Sequence, residues 1–237
     1  MVAAITVNHL RKEFILRHNR ALGLKSRFLG LVYKDKREHR EHFVALDDVS
    51  FEVEQGEALG LLGHNGSGKS TLLQIIAGIL EPTMGSVTTK GRVAPLIQLG
   101  VGFTPELTGY DNIFLNASLY GFQNRDVKKR VKDIIEFSEL EHFIDTPLKN
   151  YSSGMQMRLG FSVAVHLNPD ILLADEILAV GDQQFQEKCL IKILDMRNEG
   201  MTLILVSHSP EQVRSFCDQC IRLDHGQVVE CSLKENS

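Results

Sequence analysis

The chain has 237 residues, of which 43% are hydrophobic and 24% are charged, a balance typical of globular proteins. No apolar run approaches the roughly 18 residues of a membrane span, and the first residues, MVAAITVNHLRKEF, lack the apolar core of a signal peptide. These features argue against an integral membrane protein or a secreted one. They predict a soluble, cytoplasmic chain that is long enough for one large core, or for one core with a small subdomain.

The charge is distributed unevenly. The formal net charge is −4, but residues 11–42 contain ten Lys and Arg against four Asp and Glu, which leaves −10 for the remainder. A basic segment on an acidic body predicts one local partner or surface and no general affinity for nucleic acid. An apolar stripe within a basic insertion at residues 15–42 indicates a helix. The stripe consists of Leu24, Phe28, Leu31 and Val32. Two interpretations stay open: this helix lies against an anionic membrane surface or an acidic protein loop, or its stripe packs on its own domain.

Short apolar runs define the predicted strands. AAITV and VSFEVEQG lie on either side of the insertion and predict an N-terminal antiparallel β portion. EALGLLG, DILLADE and MTLILVSH are continuous apolar runs, which is typical of strands buried on both faces of a parallel sheet. The tail CIRLDHGQVVE predicts a hairpin that closes at Asp224, His225 and Gly226.

Residues 105–168 interrupt this alternation and are predicted to be helical. NRDVKKRVKDIIEFS places apolar residues on one face, and SELE after it predicts a capping box; the apolar residues are Val127, Val131, Ile134 and Ile135. The sequence therefore predicts an α/β fold in one domain, residues 1–237. Its core lobe is predicted at 1–97 and 170–237, with an inserted helical subdomain at 98–169.

The four cysteines lie late in the chain without a regular framework, which predicts reduced thiols. They are Cys189, Cys217, Cys220 and Cys231. Cys217 and Cys220 form a CxxC pair with no second pair and no nearby histidine, so packing roles are favoured over a metal site.

GHNGSGKST matches the phosphate-binding pattern G-x-x-x-x-G-K-[ST]. In such a loop the backbone N–H groups surround phosphate oxygens, the lysine reaches the β- and γ-phosphates, and the hydroxyl after it binds Mg²⁺. A buried strand before the loop and the helical pattern TLLQIIAGIL after it favour a nucleotide site over an ordinary glycine turn. The predicted nucleotide-binding residues are Gly63, His64, Asn65, Gly66, Ser67, Gly68, Lys69, Ser70 and Thr71, with Ser70 also on the metal.

Two acids end the apolar run ILLADE. Asp175 can hold Mg²⁺ directly or through water, and Glu176 can orient or deprotonate an attacking water molecule. The phosphate-binding loop in the same chain favours these roles over solvated loop carboxylates. His208, after the run LILVS, is a further catalytic candidate near the γ-phosphate, with a structural role as the alternative.

A second phosphate-binding end is predicted at YSSGMQMRLG, residues 151–160. Serine hydroxyls that cap a helix, together with free N–H groups in its first turn, form a site for an anion.

Together these motifs resemble the nucleotide-binding subunits of ATP-binding cassette (ABC) transporters, in order and spacing, over nearly the whole chain. GHNGSGKST corresponds to the Walker A motif, ILLADE to Walker B, YSSGM to the LSGGQ signature and VSHS to the H-loop. The resemblance implies a P-loop NTPase (RecA-like) core with ATP and Mg²⁺ as cofactors. It also implies that Gln98 is the Q-loop residue that binds nucleotide and Mg²⁺, that Asp182 lies in the D-loop AVGD, and that Phe14 stacks on adenine.

The resemblance also explains why one chain would carry two phosphate-binding ends. It implies a homodimer in which two copies pack head to tail and each signature helix contacts the nucleotide of the other copy. The residues implied in the partner's site are Ser152, Ser153, Gly154, Met155 and Asp182. Tyr151, Ser153 and Met155 depart from LSGGQ, but the hydroxyl and the second glycine are kept, so phosphate contact is expected.

Four segments resemble the ATP subunits of polysaccharide exporters. They are YSSGM, LGVGFTPELTGYDNIFLNASLYGF, LAVGDQQFQEKC and the basic insertion. This branch implies an ATPase that powers export of a lipid-linked O-antigen, capsule or teichoic acid through a separate membrane permease. The expected location is peripheral, at the cytoplasmic face of the inner membrane.

Three alternatives stay open. A subunit of a different ABC exporter or importer would be distinguished by its genetic neighbourhood. A non-transport ABC ATPase typically carries tandem cassettes or long coiled coils, which this sequence lacks. A small-molecule kinase would share the phosphate-binding loop but would not explain YSSGM or the D-loop.

Overall fold

The computed structural model describes residues 2–18, 39–97, 99–100, 102–175, 181–207 and 209–231. Within these ranges the N-terminal part forms a three-stranded antiparallel sheet. β1 (Ala3–His18) pairs with β2 (His39–Glu54) along nearly its whole length, and β4 (Met84–Thr89) pairs with the other edge of β1. The predicted antiparallel portion is confirmed.

The two ends of the basic insertion are part of this sheet. Residues 15–18 and 39–42 extend β1 and β2 into a long two-stranded ribbon. The predicted helical stripe from Leu24 to Val32 lies outside the described residues.

A second sheet of six strands forms the centre of the domain in the order β5-β6-β7-β3-β8-β9. Its parallel strands are β3 (Ala58–Leu62), β5 (Val93–Pro95), β6 (Ile171–Asp175), β7 (Thr202–Val206) and β8 (Gln219–Asp224). β9 (Gln227–Glu230) is antiparallel and closes the predicted hairpin, with Asp224 opposite Gln227. β3 and β7 are buried along their full length, which is why their sequences are continuously apolar.

Helices connect the strands and form the inserted subdomain. They are α1 (Lys69–Ile76), α2 (Gly109–Leu119), α3 (Asn124–Ser138), α4 (Ser153–His166), α5 (Gln183–Asn198) and α6 (Pro210–Phe216). A short 3₁₀ turn, Leu148–Asn150, precedes α4. No described helix combines the length and the apolar character that crossing a lipid bilayer requires.

Helix α4 belongs to two hydrophobic cores. Phe161 and Val165 pack in the cluster that covers one face of the six-stranded sheet. Leu159 and Val163 pack in the cluster of the helical subdomain. Because α4 is covered on both sides, almost its whole second half is buried and apolar.

Two local predictions were wrong. SELE does not begin a helix, because Ser138 ends α3 and its hydroxyl donates to the Ile135 carbonyl, while Glu139 adopts a left-handed conformation with φ 59°. The thiols of Cys220 and Cys231 are not free but form a disulfide. Cys220 and Cys231 directly flank the paired Ile221 and Glu230, and their Cα atoms lie 5.5 Å apart.

The other two cysteines fit the packing roles predicted for them. Cys189 and Cys217 are free and buried, and burial raises the pKa of each thiol to about 12.

His166, at the C-terminal end of α4, is a buried titratable group. Its ring contacts the Phe137 ring edge-on at a centroid distance of 4.7 Å, and its Nδ1 donates to the Ser162 carbonyl at 3.0 Å. Burial lowers the pKa of His166 to about 4, and the charges of Lys192 and Arg130 act in the same direction, while Asp133 opposes them. The folded protein therefore holds a neutral imidazole that the unfolded chain would protonate near pH 6.5.

This depressed pKa makes folding sensitive to acid. The contribution of the neutral His166 to the stability of the folded protein is fully present above pH 6.5 and is lost as the pH falls towards about 4. We expect the free energy of unfolding to fall by up to about 3 kcal/mol across this window because of His166. In urea denaturation followed by circular dichroism, His166→Gln should flatten this part of the pH profile. His142→Gln, at an exposed histidine of the same subdomain, should not; identical profiles for the two variants would contradict the assignment.

Candidate functional site

The phosphate-binding loop joins β3 to α1. Gly68 precedes α1 with φ 108°, and a Cβ there would lie 2.6 Å from the Ala45 carbonyl oxygen, so only glycine fits between the loop and β2. Lys69 is 7% exposed, and its ammonium group donates to the carbonyls of Gly63 at 2.7 Å and His64 at 2.9 Å. The lysine is thus held across the inside of the loop, where a phosphate group would be bound.

An open cavity of about 370 Å³ lies against this loop. It brings together six of the predicted residues on the loop and α1 and one acid from β6, which are Asn65, Gly66, Gly68, Lys69, Ser70, Thr71 and Asp175. Phe43 and Ala45 of β2 complete the wall. Six of the nine predicted loop and α1 residues, together with Asp175, therefore line one cavity at the carboxyl ends of β3 and β6.

Ser70 and Asp175 are 105 positions apart but lie in contact in this cavity. The Ser70 hydroxyl donates to an Asp175 carboxylate oxygen at 3.4 Å. A hydroxyl and a carboxylate are hard oxygen donors of the kind that Mg²⁺ prefers. The two residues therefore fit the predicted metal site.

Two other residues of the loop face away from the cavity. Ser67 is fully buried, and among the described residues its hydroxyl has no hydrogen-bond partner. His64 turns outward, with Nδ1 2.8 Å from the Asn65 carbonyl and Nε2 3.0 Å from an Asp224 oxygen. Neither side chain lines the cavity, so any phosphate contact from these positions must come from the backbone.

The aromatic wall of the cavity is formed by a residue that the sequence did not single out. Phe43 lines it with 48% of its surface exposed. Phe14, the predicted stacking residue, pairs with Phe43 across the β1–β2 ladder and contacts the ammonium group of Lys12 at 5.2 Å from the ring centroid. The aromatic residue at the start of the run FVAL was the signal that could have made Phe43 a second candidate.

The second predicted phosphate-binding end is the exposed beginning of α4. The Ser152 hydroxyl accepts a hydrogen bond from the Met155 N–H at 3.2 Å, which caps the helix as predicted. Tyr151 anchors the turn, because its ring is 6% exposed and its hydroxyl donates to the Phe143 carbonyl at 2.7 Å. Ser152 and Ser153 are exposed, and Gly154 is partly so.

Arg158, one turn into α4, connects this helix to the predicted D-loop. Its guanidinium donates to Glu139 at 2.7 Å and to Asp182 at 2.6 Å, and it lies over the Phe185 ring at 4.7 Å. Asp182 also caps α5 by accepting the Phe185 N–H at 2.9 Å. Lys188 first, and then Arg158, lower the pKa of Glu139, so the carboxylate stays charged. Sequence reasoning missed this network because its members are distant in the chain.

Gln98, Glu176 and His208 lie outside the described residues. Their predicted roles therefore stay predictions.

A protein-family model for ABC transporters matches residues 46–179, more than half of the chain. The O-antigen export system ATP-binding protein RfbB of Klebsiella pneumoniae is 46% identical over 239 residues, covering 99% of this chain and 96% of that protein. The chain belongs to the ABC transporter family. The teichoic acids export ATP-binding protein TagH of Listeria innocua is 45% identical over 226 residues, covering 95% of this chain and 66% of that protein.

Solved ABC cassettes share the fold. A dimeric cassette in a post-hydrolysis state bound to ADP and Pi superposes with a TM-score of 0.73 at 24% identity, over 98% of this chain and 99% of that one. The structure of an ATP-binding subunit of an ABC transporter gives a TM-score of 0.73 at 22% identity, over 95% of this chain and 88% of that one. The predicted family and the predicted P-loop α/β fold are confirmed.

In this ABC family member, the Arg158 network should stabilise the contact of α4 with Glu139 after α3 and with Asp182 before α5. Arg158 has only 19% of its side chain exposed, so Arg158→Gln removes two charged hydrogen bonds that water replaces poorly. We expect a loss of about 1–3 kcal/mol in the free energy of unfolding. Arg125→Gln removes the same charge from an exposed position on α3 and should change stability by less than about 0.5 kcal/mol. Equal effects of the two variants in urea titrations would show that the network contributes nothing.

Proposed function

We propose that this chain is the ATP-binding and ATP-hydrolysing subunit of an ABC exporter for a lipid-linked polysaccharide of the O-antigen, capsule or teichoic acid type. The observation that carries the proposal is full-length similarity to an O-antigen export ATP-binding protein, in a chain whose phosphate-binding loop and Asp175 form one cavity. The teichoic acid export relative supports the same class of cargo.

In this proposal each described residue of the cavity has a role. The backbone N–H groups of the loop and the first turn of α1 bind phosphate oxygens, since α1 begins at Lys69 and its first N–H groups have no partner within the helix. Lys69 exchanges its two carbonyl partners for the β- and γ-phosphates. Ser70 and Asp175 would hold Mg²⁺, which neutralises charge on the phosphates when it is bound.

Hydrolysis itself is assigned to residues after β6 and β7. Glu176 follows Asp175 directly in the sequence and orients or deprotonates the attacking water. His208 follows β7 by two positions and contacts the γ-phosphate. Gln98 contributes to the nucleotide and metal site from the segment after β5.

The exposed start of α4 supports a head-to-tail homodimer. Ser152 uses its oxygen as an acceptor for the Met155 N–H, which leaves its O–H free to donate to a phosphate oxygen. Ser153, Gly154 and Met155 present the first turn of the same helix. In this arrangement they complete the site of a second copy, and Asp182 lies beside that interface.

The partner and the location follow from the proposed cargo. A lipid-linked glycan needs an integral membrane permease, so the subunit binds that permease at the cytoplasmic face of the inner membrane. The basic insertion, with its excess of Lys and Arg, suits contact with anionic headgroups or with an acidic permease loop.

Phe43 is proposed to stack on the adenine ring, because it is the aromatic side chain in the cavity wall. Phe43→Ala should weaken ATP binding by about 5- to 150-fold, the range that base–aromatic stacking energies imply. Ile15→Ala truncates another exposed apolar side chain of the same ribbon and should leave ATP affinity unchanged. Titration with a fluorescent ATP analogue measures all variants. A loss found in Phe14→Ala and absent from Phe43→Ala would assign the base to Phe14 instead.

The proposed function predicts a separation of binding from turnover in Glu176→Gln. This change keeps the shape of the side chain but removes the carboxylate that activates water, so ATP should still bind while hydrolysis falls at least about 100-fold. The variant should elute as an ATP-dependent dimer in size-exclusion chromatography. In cells that rely on the variant, the polysaccharide should stay in the cytoplasmic leaflet and disappear from the surface.

Glu141→Gln, at an exposed glutamate of the helical subdomain, is the matched control and should behave as wild type. Normal surface polysaccharide in cells whose only copy is Glu176→Gln would overturn the export proposal. Wild-type hydrolysis by the purified variant would remove Glu176 from its catalytic role.

A further inference from the structure

Two histidines and one aspartate form a cluster on the side of the phosphate-binding loop that faces away from the nucleotide cavity. They are His64 in the loop and Asp224 and His225 at the turn between β8 and β9. One potential ligand atom from each lies within 4.8 Å of the other two. All three side chains are exposed, at 51%, 50% and 86% respectively. The lining of the nucleotide cavity includes none of them.

The hydrogen bonds of His64 leave a lone pair that faces a carboxylate. Its Nδ1 lies 2.8 Å from the Asn65 carbonyl, which can only accept, so Nδ1 carries the proton. In the neutral ring Nε2 is then an acceptor, yet it lies 3.0 Å from the Asp224 oxygen, which is also an acceptor. Two acceptors at this distance need a cation or a proton between them.

A second imidazole lies beside the same carboxylate. The Nε2 of His225 lies 3.9 Å from the same Asp224 oxygen, and the two imidazole rings are 5.1 Å apart between centroids. A metal ion would accept the lone pairs of both rings and of the carboxylate at once.

The backbone holds the three residues together. The Gly226 N–H donates to the Ser67 carbonyl at 3.0 Å, and the Gly226 carbonyl accepts from the Asp47 N–H at 2.8 Å, so the turn is fixed to the loop and to β2. His225 adopts a left-handed conformation with φ 45°, which is uncommon for a non-glycine residue.

We propose that His64, Asp224 and His225 bind a divalent transition-metal ion, with Zn²⁺ as the favoured ion. Two imidazole nitrogens and one carboxylate oxygen are typical Zn²⁺ ligands, while Mg²⁺ prefers oxygen donors alone. Ligand atoms around a tetrahedral Zn²⁺ are about 3.4 Å apart. The imidazole nitrogens of His64 and His225 lie 3.0 and 3.9 Å from the same Asp224 oxygen, and all three ligand atoms lie within 4.8 Å of one another. The exposed side leaves room for water as a fourth ligand. The ion would connect the phosphate-binding loop to the β8–β9 turn.

Co²⁺ is the probe that tests the site, because its visible absorption reports both binding and coordination geometry. The experiment uses the full chain without a tag, without nucleotide and without Mg²⁺. We expect one equivalent of Co²⁺ to give a tetrahedral d–d spectrum without the absorption of a thiolate ligand, and Zn²⁺ to displace it. His225→Asn removes one ligand while keeping a residue that tolerates the left-handed turn, and it should weaken binding at least about tenfold.

His9→Gln is the matched control. His9 also faces an aspartate, with 2.7 Å between its Nδ1 and an Asp48 oxygen, and this exposed pair is not part of the three-ligand cluster. His9→Gln should therefore bind Co²⁺ as wild type does. Zn²⁺ should raise the melting temperature of wild type and of His9→Gln but not of His225→Asn. Unchanged Co²⁺ affinity in both His225→Asn and Asp224→Asn, or no binding by the wild-type chain, would overturn the proposal.

Discussion

Helix α4 is the element on which the rest of the structure depends, because its two faces belong to two different cores. Phe161 and Val165 pack on the six-stranded sheet, while Leu159 and Val163 pack inside the helical subdomain. The same helix begins at the exposed Ser152. A helix covered on both sides thus holds the predicted signature residues at its start in position relative to the sheet, and a change in the packing of either core would shift them. Arg158 on the same helix adds a polar contact, because its guanidinium donates a hydrogen bond to Asp182 at the start of α5.

The phosphate-binding loop has a comparable support on its outer side. Gly68 leaves no side chain where the loop meets the Ala45 carbonyl, and the Gly226 N–H of the β8–β9 turn donates a backbone hydrogen bond to the Ser67 carbonyl. Close packing of backbone against backbone leaves little freedom for the loop. Such preorganisation lets the N–H groups bind a phosphate without a large ordering cost. The position of His64 on the supported side explains why a residue within the loop motif faces away from the nucleotide cavity.

The disulfide and the low pKa of the buried histidine are two properties that the order of residues in the chain does not indicate. Cys220 and Cys231 are 11 residues apart in the sequence, and only the antiparallel register of β8 and β9 brings their Cα atoms to 5.5 Å. His166 is one of several histidines in the sequence, yet its burial in the folded protein lowers its pKa to about 4. Both features depend on neighbours that are supplied by another strand or helix.

The sequence by itself determined the class of the fold and the positions of the main motifs. Three motifs can be identified from the spacing of neighbouring residues alone, namely GHNGSGKST, ILLADE and YSSGM. The continuous apolar runs identify strands that are buried on both faces. The capping box predicted at SELE was wrong because the chain turns at Glu139, which adopts a left-handed conformation. Tertiary structure alone decided that Phe43 lines the cavity, that Arg158 connects Glu139 to Asp182, and that His64 meets Asp224 and His225. These contacts join residues that are far apart in the chain, and no local spacing specifies which distant side chains the packed sheets and helices bring together.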